Sequence, residues 1–308
     1  MVQQALTLFR HVYQLSRSIA VVSSSVAAIL SSLLPLRLYT SISTSMLIFF
    51  FFFLCLAAFT IHGVLTHAFN DYTDSLSGTD QHSPGILSGG SRLIQTKNLS
   101  PLMMWRIATL TTIALLCLVV ILFITAQYKL AALLLIGIWA AVSYSLSPLQ
   151  LSYRPFLGDW LSLFPAMFFL GIAGPWLLLD PLPEWAVQNA TINALVCMGW
   201  VMVHHIPDIE ADQQAAPIKR TSVVWFVDQF GLTFARAPAF LYFLLTGLCT
   251  FWLGSSRLEA AISLAVLSIL AIYIVIKIDA TDYQQTSLCE KILLLVAILI
   301  AVCLGVFV

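Results

Sequence analysis

Nine stretches of about 17 or more mostly apolar residues recur along the chain, each long enough to cross a bilayer as a helix. They lie near residues 19–36, 46–69, 107–126, 130–147, 160–179, 186–204, 238–254, 259–276 and 290–308. A backbone in hydrocarbon must satisfy its own hydrogen bonds, which leaves helices or closed barrels. No strand-period alternation is present, so a barrel is excluded. Of the 308 residues 60% are hydrophobic and only 9% charged, and the mean hydropathy is +0.96. Soluble domains carry about 25% charged residues, so a soluble fold, a disordered chain and a nucleic-acid binder are excluded. The expected fold class is all-α, a polytopic membrane bundle of nine transmembrane helices with the lipid bilayer as its surroundings.

Residues 1–17 place apolar side chains at helical spacing and carry Arg10 and Arg17, a pattern suited to an amphipathic helix lying on the membrane surface. The first apolar run follows these arginines as a secretory signal would, but no convincing cleavage site follows, and it is kept as a span. The six cysteines are scattered in or beside apolar runs with no CxxC pair. A disulfide framework or zinc site is therefore not expected.

Threading nine spans alternately through a bilayer sorts the loops into two sets. One set holds Arg10, Arg17, Arg92, Lys97, Arg106, Arg154, Lys219, Arg220, Arg236, Lys277 and Lys291, and the other only Arg37, Lys129 and Arg257. The excess of bases predicts a cytoplasmic N-terminus and an external C-terminus. Acids divide the same way, with only Asp180, Glu184 and Glu259 outside. Acidic residues contribute little to orientation, so their asymmetry requires another cause.

Two loops on the inner side supply that cause. The loop after the second span begins HAFNDYTDSLSGTDQ and the loop after the sixth reads HHIPDIEADQQAAPIKRTSVV. Asn70 and Asp74 are four residues apart, as are Asp208 and Asp212, so each pair shares one face of a helix end. Asp80 follows Gly78, where the chain can turn. Carboxylates clustered at a membrane face repel one another unless a cation neutralises them. Hard oxygen ligands without histidine or cysteine at ligand spacing suit Mg²⁺ or Mn²⁺ better than zinc. Mg²⁺ commonly shares its coordination with substrate phosphates. Two such clusters with Lys219 and Arg220 beside them therefore read as a diphosphate site held through magnesium.

NDYTDSLSGTD resembles the first aspartate-rich motif of the UbiA superfamily of intramembrane prenyltransferases, and DIEAD followed by KRT resembles its second. A third stretch, YSLSPLQLSYRPFLGD over 144–159, resembles the family's Tyr-Ser, Pro-Leu, Arg and Gly-Glu loop, with Asp159 where Glu is usual. The chain departs from the family at Ala216, where glycine is usual, and in two extra residues before KRT; the SGTD ending is closer to the naphthoate branch. The resemblance implies a single domain over 1–308 with its helices around a central cavity. It also implies an allylic isoprenoid diphosphate substrate, ionised to a carbocation that a lipophilic acceptor, an aromatic quinone precursor, captures. Asn70, Asp74, Asp208 and Asp212 would hold the metal, with Asp80 as a fifth ligand. Lys219, Arg220, Arg92 and Arg154 would bind the diphosphate, and Tyr144 would serve the cation's cavity either as wall or as hydrogen-bond donor.

Other residues carry weaker expectations. The run Phe49–Phe53 circles a helix and is expected to face lipid or pack. His204 and His205, just before the second motif, could deprotonate an acceptor, although a structural place at a helix end is the stronger expectation, as it is for His62 and His67. Asp71 is expected off the ligand face. Two competing functions remain: a terpene cyclase of the same superfamily, which quenches the cation within its own chain, and a transporter. The second is disfavoured because transporter sites lie near the midplane, where these spans carry almost no charge. Oligomeric state, chain length and acceptor identity are not specified by the sequence.

Overall fold

The computed structural model describes His11, Gln14, Leu15, residues 22–84 and residues 88–308. Apart from those first three positions, the amphipathic helix expected over 1–17 lies outside the described residues. Every regular element among the described residues is helical. Helix α1 spans Ala27–Tyr39 and is entered through a π-helical turn, Val22–Val26. Helix α2 runs unbroken over Thr44–Ser77, with Phe59–Thr66 in π-helical form at its centre. A short α3 (Thr79–His82) follows, then α4 (Pro101–Ile124), α5 (Tyr128–Ser145) and α6 (Asp159–Leu178), which also begins with a π-helical turn at Asp159–Leu163. The second half comprises α7 (Glu184–His204), α8 (Ile209–Gln214), α9 (Ser222–Phe230), α10 (Ala237–Leu253), α11 (Leu258–Lys277) and α12 (Tyr283–Val306).

Among the described residues eight helical segments are long and apolar enough to cross a membrane, and a ninth, Ser24–Tyr39, is apolar but shorter. Its described part falls below the roughly 20 residues a full crossing takes, which accounts for the difference from nine. Each segment corresponds to one of the nine apolar runs. The chain is thus a multi-pass membrane protein. Its rim is greasy: Phe49, Phe52, Leu110, Ile124, Phe251 and Ile269 all point outward. In water such a surface would aggregate; here it faces acyl chains. The Phe49–Phe53 run divides accordingly, with Phe50 and Phe51 half-buried against α1 and Phe53 reaching an internal cavity.

Helix α7 is the axis of the bundle. Most of its residues from Ala186 to Val203 are buried, whereas α4 at the periphery buries only Met104, Ala108 and Val119. Met198, Phe243, Leu264 and Val296 join α7 to α10, α11 and α12 in the largest core cluster. Leu65, Phe69, Met104 and Ala141 form a second where α2, α4 and α5 meet.

Lipid tails are as apolar as leucine, so helices in a membrane associate through close backbone packing at small residues. Gly171 on α6 shows this: a Cβ there would stand 2.9 Å from the Cβ of Ala190 on α7. We expect Gly171→Leu to lower stability by about 1–3 kcal/mol through overpacking, read as a fall in Tm of the detergent-solubilised protein. An unchanged Tm would show that the two helices are not locked there.

At the end of the bundle away from the motif loops, Arg257 closes the C-terminus of α12. Its guanidinium donates to the carbonyls of Leu304 (2.8 Å) and Phe307 (2.8 and 3.1 Å) and to Gln188 Oε1 (2.8 Å), satisfying carbonyls the helix leaves unpaired. Asn189 is buried and donates to the Ser31 and Leu304 carbonyls, which ties α7 to α1 and α12.

Candidate active site

The first motif is not a loop but the last turns of α2. Asn70 and Asp74 lie on one face, and the Asn70 amide donates to Asp74 Oδ2 at 2.8 Å. The helix stops at Gly78, whose φ of +83° places it in the left-handed region, with its N–H bonded to the Asp74 carbonyl. This is the usual glycine stop. The chain then turns into α3, which carries the buried Asp80.

The segment that follows folds back as a cradle. Arg92 donates from its two terminal nitrogens to the carbonyls of Asp80 (2.7 Å) and Ser83 (2.8 Å), and Gln95 donates to Asp80 Oδ2 at 3.1 Å. Gly90, at φ +77°, passes so close that a Cβ would meet Asp80 Oδ2 at 2.5 Å. Asp71 lies off the Asn70–Asp74 face, as expected; it accepts from the backbone N–H and the hydroxyl of Ser91 and so ties this segment to α2.

The second motif meets the first across this cradle. Asp208 closes a short 3-10 turn after α7 and accepts from Ser83 Oγ at 2.5 Å. Asp212 lies one turn further on, in α8. It is 1% exposed, and both carboxylate oxygens are buried without a hydrogen-bond donor among the described residues. Lys219 returns to the centre, its N–H bonded to the Asp212 carbonyl at 2.9 Å. Its Nζ contacts both Asp74 oxygens, at 2.8 and 3.0 Å. Burial alone would lower the Lys219 pKa, but Asp74 and Asp212 together raise it well above the ordinary lysine value, so the ammonium stays charged.

Tyr153 completes this centre. Its hydroxyl donates to Ser77 Oγ at 3.0 Å and, more loosely, to Asp74 Oδ1 at 3.4 Å, while Lys219 Nζ lies 5.8 Å from its ring centroid. Burial, with the nearby Asp74 charge, pushes the phenol up to about 12. It therefore remains a donor at neutral pH.

This polar cluster closes one end of a cavity of about 440 Å³. Asn70, Asp74, Asp80, Asp208 and Lys219 line that end. The remainder is walled by α2, α5 and α6, through Tyr144, Gly137, Leu133 and Phe53, and by α7 and α12, through Trp200, His204 and Glu290. At about 1.5 Å per residue, the stretch of α2 from Asn70 to Phe53 extends roughly 25 Å. The space is largely apolar, and the motif carboxylates border it.

Six of the ten sequence-predicted residues line the cavity: Asn70, Asp74, Asp80, Asp208, Lys219 and Tyr144. Asp212 is buried beside them, within electrostatic range of Lys219, Asp208, Asp74 and Asp80. Three arginines are directed elsewhere. Arg92 holds the cradle's carbonyls, exposed Arg154 donates to the Pro148 carbonyl at 3.1 Å, and exposed Arg220 pairs with Asp228 at 3.4 Å. Sequence reasoning passed over Ser83, Gly90, Tyr153 and Glu290. Tyr153 was within reach, since it stands beside Arg154 in the third motif, and a glycine pair within SGGSR marks a tight backbone approach.

The donor set suits a divalent cation. Four carboxylates share a buried site with one ammonium, and neither Asp212 oxygen has a hydrogen-bond donor among the described residues, which is the chemistry of a hard oxygen site. Among the described residues no three Asp, Glu, His or Cys side chains converge as a formed metal site. Asp74 is turned onto Lys219, and Asp208 onto Ser83.

An apolar cavity inside a helix bundle, bordered by carboxylates and a lysine, defines a membrane-embedded site with both apolar and charged walls. Residues 19–305 match the UbiA prenyltransferase family, and the chain belongs to that family. A search of curated proteins finds no match to the chain. Members of the family are intramembrane transferases that move an isoprenoid group from its diphosphate to a lipophilic acceptor, generally with a divalent metal.

Proposed function

We propose that this chain is a Mg²⁺-dependent prenyltransferase, with Mn²⁺ as a substitute, acting as one domain over 1–308. It ionises an allylic isoprenoid diphosphate and passes the prenyl group to an aromatic acceptor of the quinone-precursor type. The observation that carries this reading is Lys219, buried and bonded to Asp74 where the motif carboxylates border a largely apolar cavity of about 440 Å³.

In this reading Asn70, Asp74, Asp80, Asp208 and Asp212 hold the metal. When bound, the metal neutralises the negative charge that builds on the departing diphosphate. Lys219 faces the same oxygens from the protein side, a preorganised charge in a site of low dielectric. Arg92 acts through the cradle it holds around Asp80, and Arg154 and Arg220 add positive field from outside the cavity. Tyr144 and the apolar walls exclude water, and the ring face attracts the allylic cation. The excess of basic residues near the motif loops supports an orientation with these loops and the N-terminus in the cytoplasm, the C-terminus outside, and the cytoplasmic membrane as the location.

The test uses purified protein in lipid nanodiscs with Mg²⁺, short and long allylic diphosphates, and hydroxylated benzoates and naphthoates. The expected result is diphosphate release together with an acceptor heavier by one prenyl group. A cyclised hydrocarbon formed without acceptor would identify a cyclase instead. No release from any donor would overturn the reading.

A further inference from the structure

Helix α12 begins at Tyr283, capped by Asp282, which places Glu290 two turns inside the span with 1% exposure. An acid so deep in an apolar helix is costly and is expected to act with a specific partner. That partner is His204 at the end of α7, whose Nδ1 lies 2.6 Å from Glu290 Oε1. Trp200, one turn earlier, stacks on the imidazole with centroids 5.2 Å apart and planes 20° from parallel. Its indole N–H donates to the backbone carbonyl of Glu290 at 3.2 Å. The ring is thus fixed in plane by stacking and in rotation by the carboxylate.

A carboxylate can only accept. Facing a carboxylate at Glu290, a neutral imidazole would donate from Nδ1 and keep the Nε2 lone pair for a proton. His204, Glu290 and Trp200 line the same cavity as Asn70, Asp74 and Asp208. A histidine oriented by a buried acid and placed in a substrate cavity has the arrangement of a general base.

We infer that His204 is the general base of the transfer step and that Glu290 is its positioning residue. The inference rests on the prenyltransferase reading and deepens it, because it assigns the acceptor to the α7–α12 side of the cavity. The donor's C–O bond breaks and its electron pair leaves with the diphosphate. A π pair of the aromatic acceptor forms the new C–C bond. The pair of the ring C–H bond then returns to the ring as that proton passes to His204 Nε2. Glu290 stabilises the resulting imidazolium, which passes the proton on to water.

The test measures diphosphate release, prenylated acceptor and free prenol for wild type, His204→Gln and Glu290→Gln. It uses farnesyl and geranylgeranyl diphosphate with ring-deuterated hydroxybenzoates and naphthols. In His204→Gln, diphosphate release is expected to stay near the wild-type rate while prenylated acceptor falls about 100-fold or more. The cation should appear as prenol, and a primary isotope effect absent from wild type should emerge as proton loss becomes slow. Glu290→Gln, which keeps the side chain's shape, should show a smaller drop and the same isotope effect. It decides the matter if His204→Gln fails to fold. Equal losses of release and transfer with no isotope effect would overturn the inference, as would unchanged transfer or a wild-type product formed without loss of a ring proton. Absence of diphosphate release from wild type would instead overturn the prenyltransferase reading itself.

Discussion

Asp74→Asn is expected to cut diphosphate release by about 10²–10³-fold or more, the loss typical when a preorganised charged contact is removed from a transition state. Asp74 is the point where the site's parts meet. Lys219 contacts both of its oxygens, and Asn70 and Tyr153 donate to it as well. The asparagine keeps the shape but supplies one acceptor and no charge, so Lys219 loses its counter-ion and the proposed metal loses a ligand. Pyrophosphate release from an allylic donor, followed in Mg²⁺, reads the effect. Asp180→Asn at the opposite end of the bundle serves as control and should leave the rate unchanged. Full activity in Asp74→Asn would remove the first motif from the mechanism.

Lys219→Met should be the most destabilising single change in the site. Truncating one partner of a buried ion pair leaves the other charge uncompensated, at a cost of about 3–5 kcal/mol. Here both Asp74 and Asp212 would be left. The double variant Asp74→Asn, Lys219→Met should recover part of that stability, because replacing a whole buried pair is often nearly neutral, yet remain inactive. Denaturation of the two variants in mixed micelles measures the difference. A double variant no more stable than Lys219→Met would mean that the pair does not hold the motif loops together.

The membrane spans were legible because an apolar run of span length has few alternatives in a bilayer. The paired spacing of Asn70 with Asp74, and of Asp208 with Asp212, also pointed to the residues that now share one cluster. Boundaries were less legible. The second span reads as ending near residue 69 because the residues beyond are polar, whereas the helix continues to Ser77. It does so because a helix satisfies its backbone internally while its polar side chains turn to the cavity. The same effect concealed Glu290. With the last run read from residue 290 it looked like a boundary charge, but the helix starts at Tyr283 and carries it inside.

The bases show a different limit. Sequence gives their number and their side of the membrane, but not which guanidinium finds a carbonyl first. Arg92, Arg154 and Lys219 look equivalent as charges. Only Lys219 projects into the cavity, because Arg92 and Arg154 have backbone acceptors within reach.

The three π-helical stretches among the described residues line the cavity, through Ser25 in Val22–Val26, His62 in Phe59–Thr66 and Ser162 in Asp159–Leu163. A π turn is in effect one residue inserted into an α-helix. Each residue of an α-helix turns the following face by about 100°. One residue deleted within Phe59–Thr66 would therefore be absorbed by the π turns, whereas one deleted from the α-helical residues 67–69, just before the motif, would keep α2 helical while swinging Asn70 and Asp74 out of the cavity. Hydropathy would register almost nothing, and the site would be gone. The phase of α2, as much as its composition, is what such a chain must preserve as it diverges.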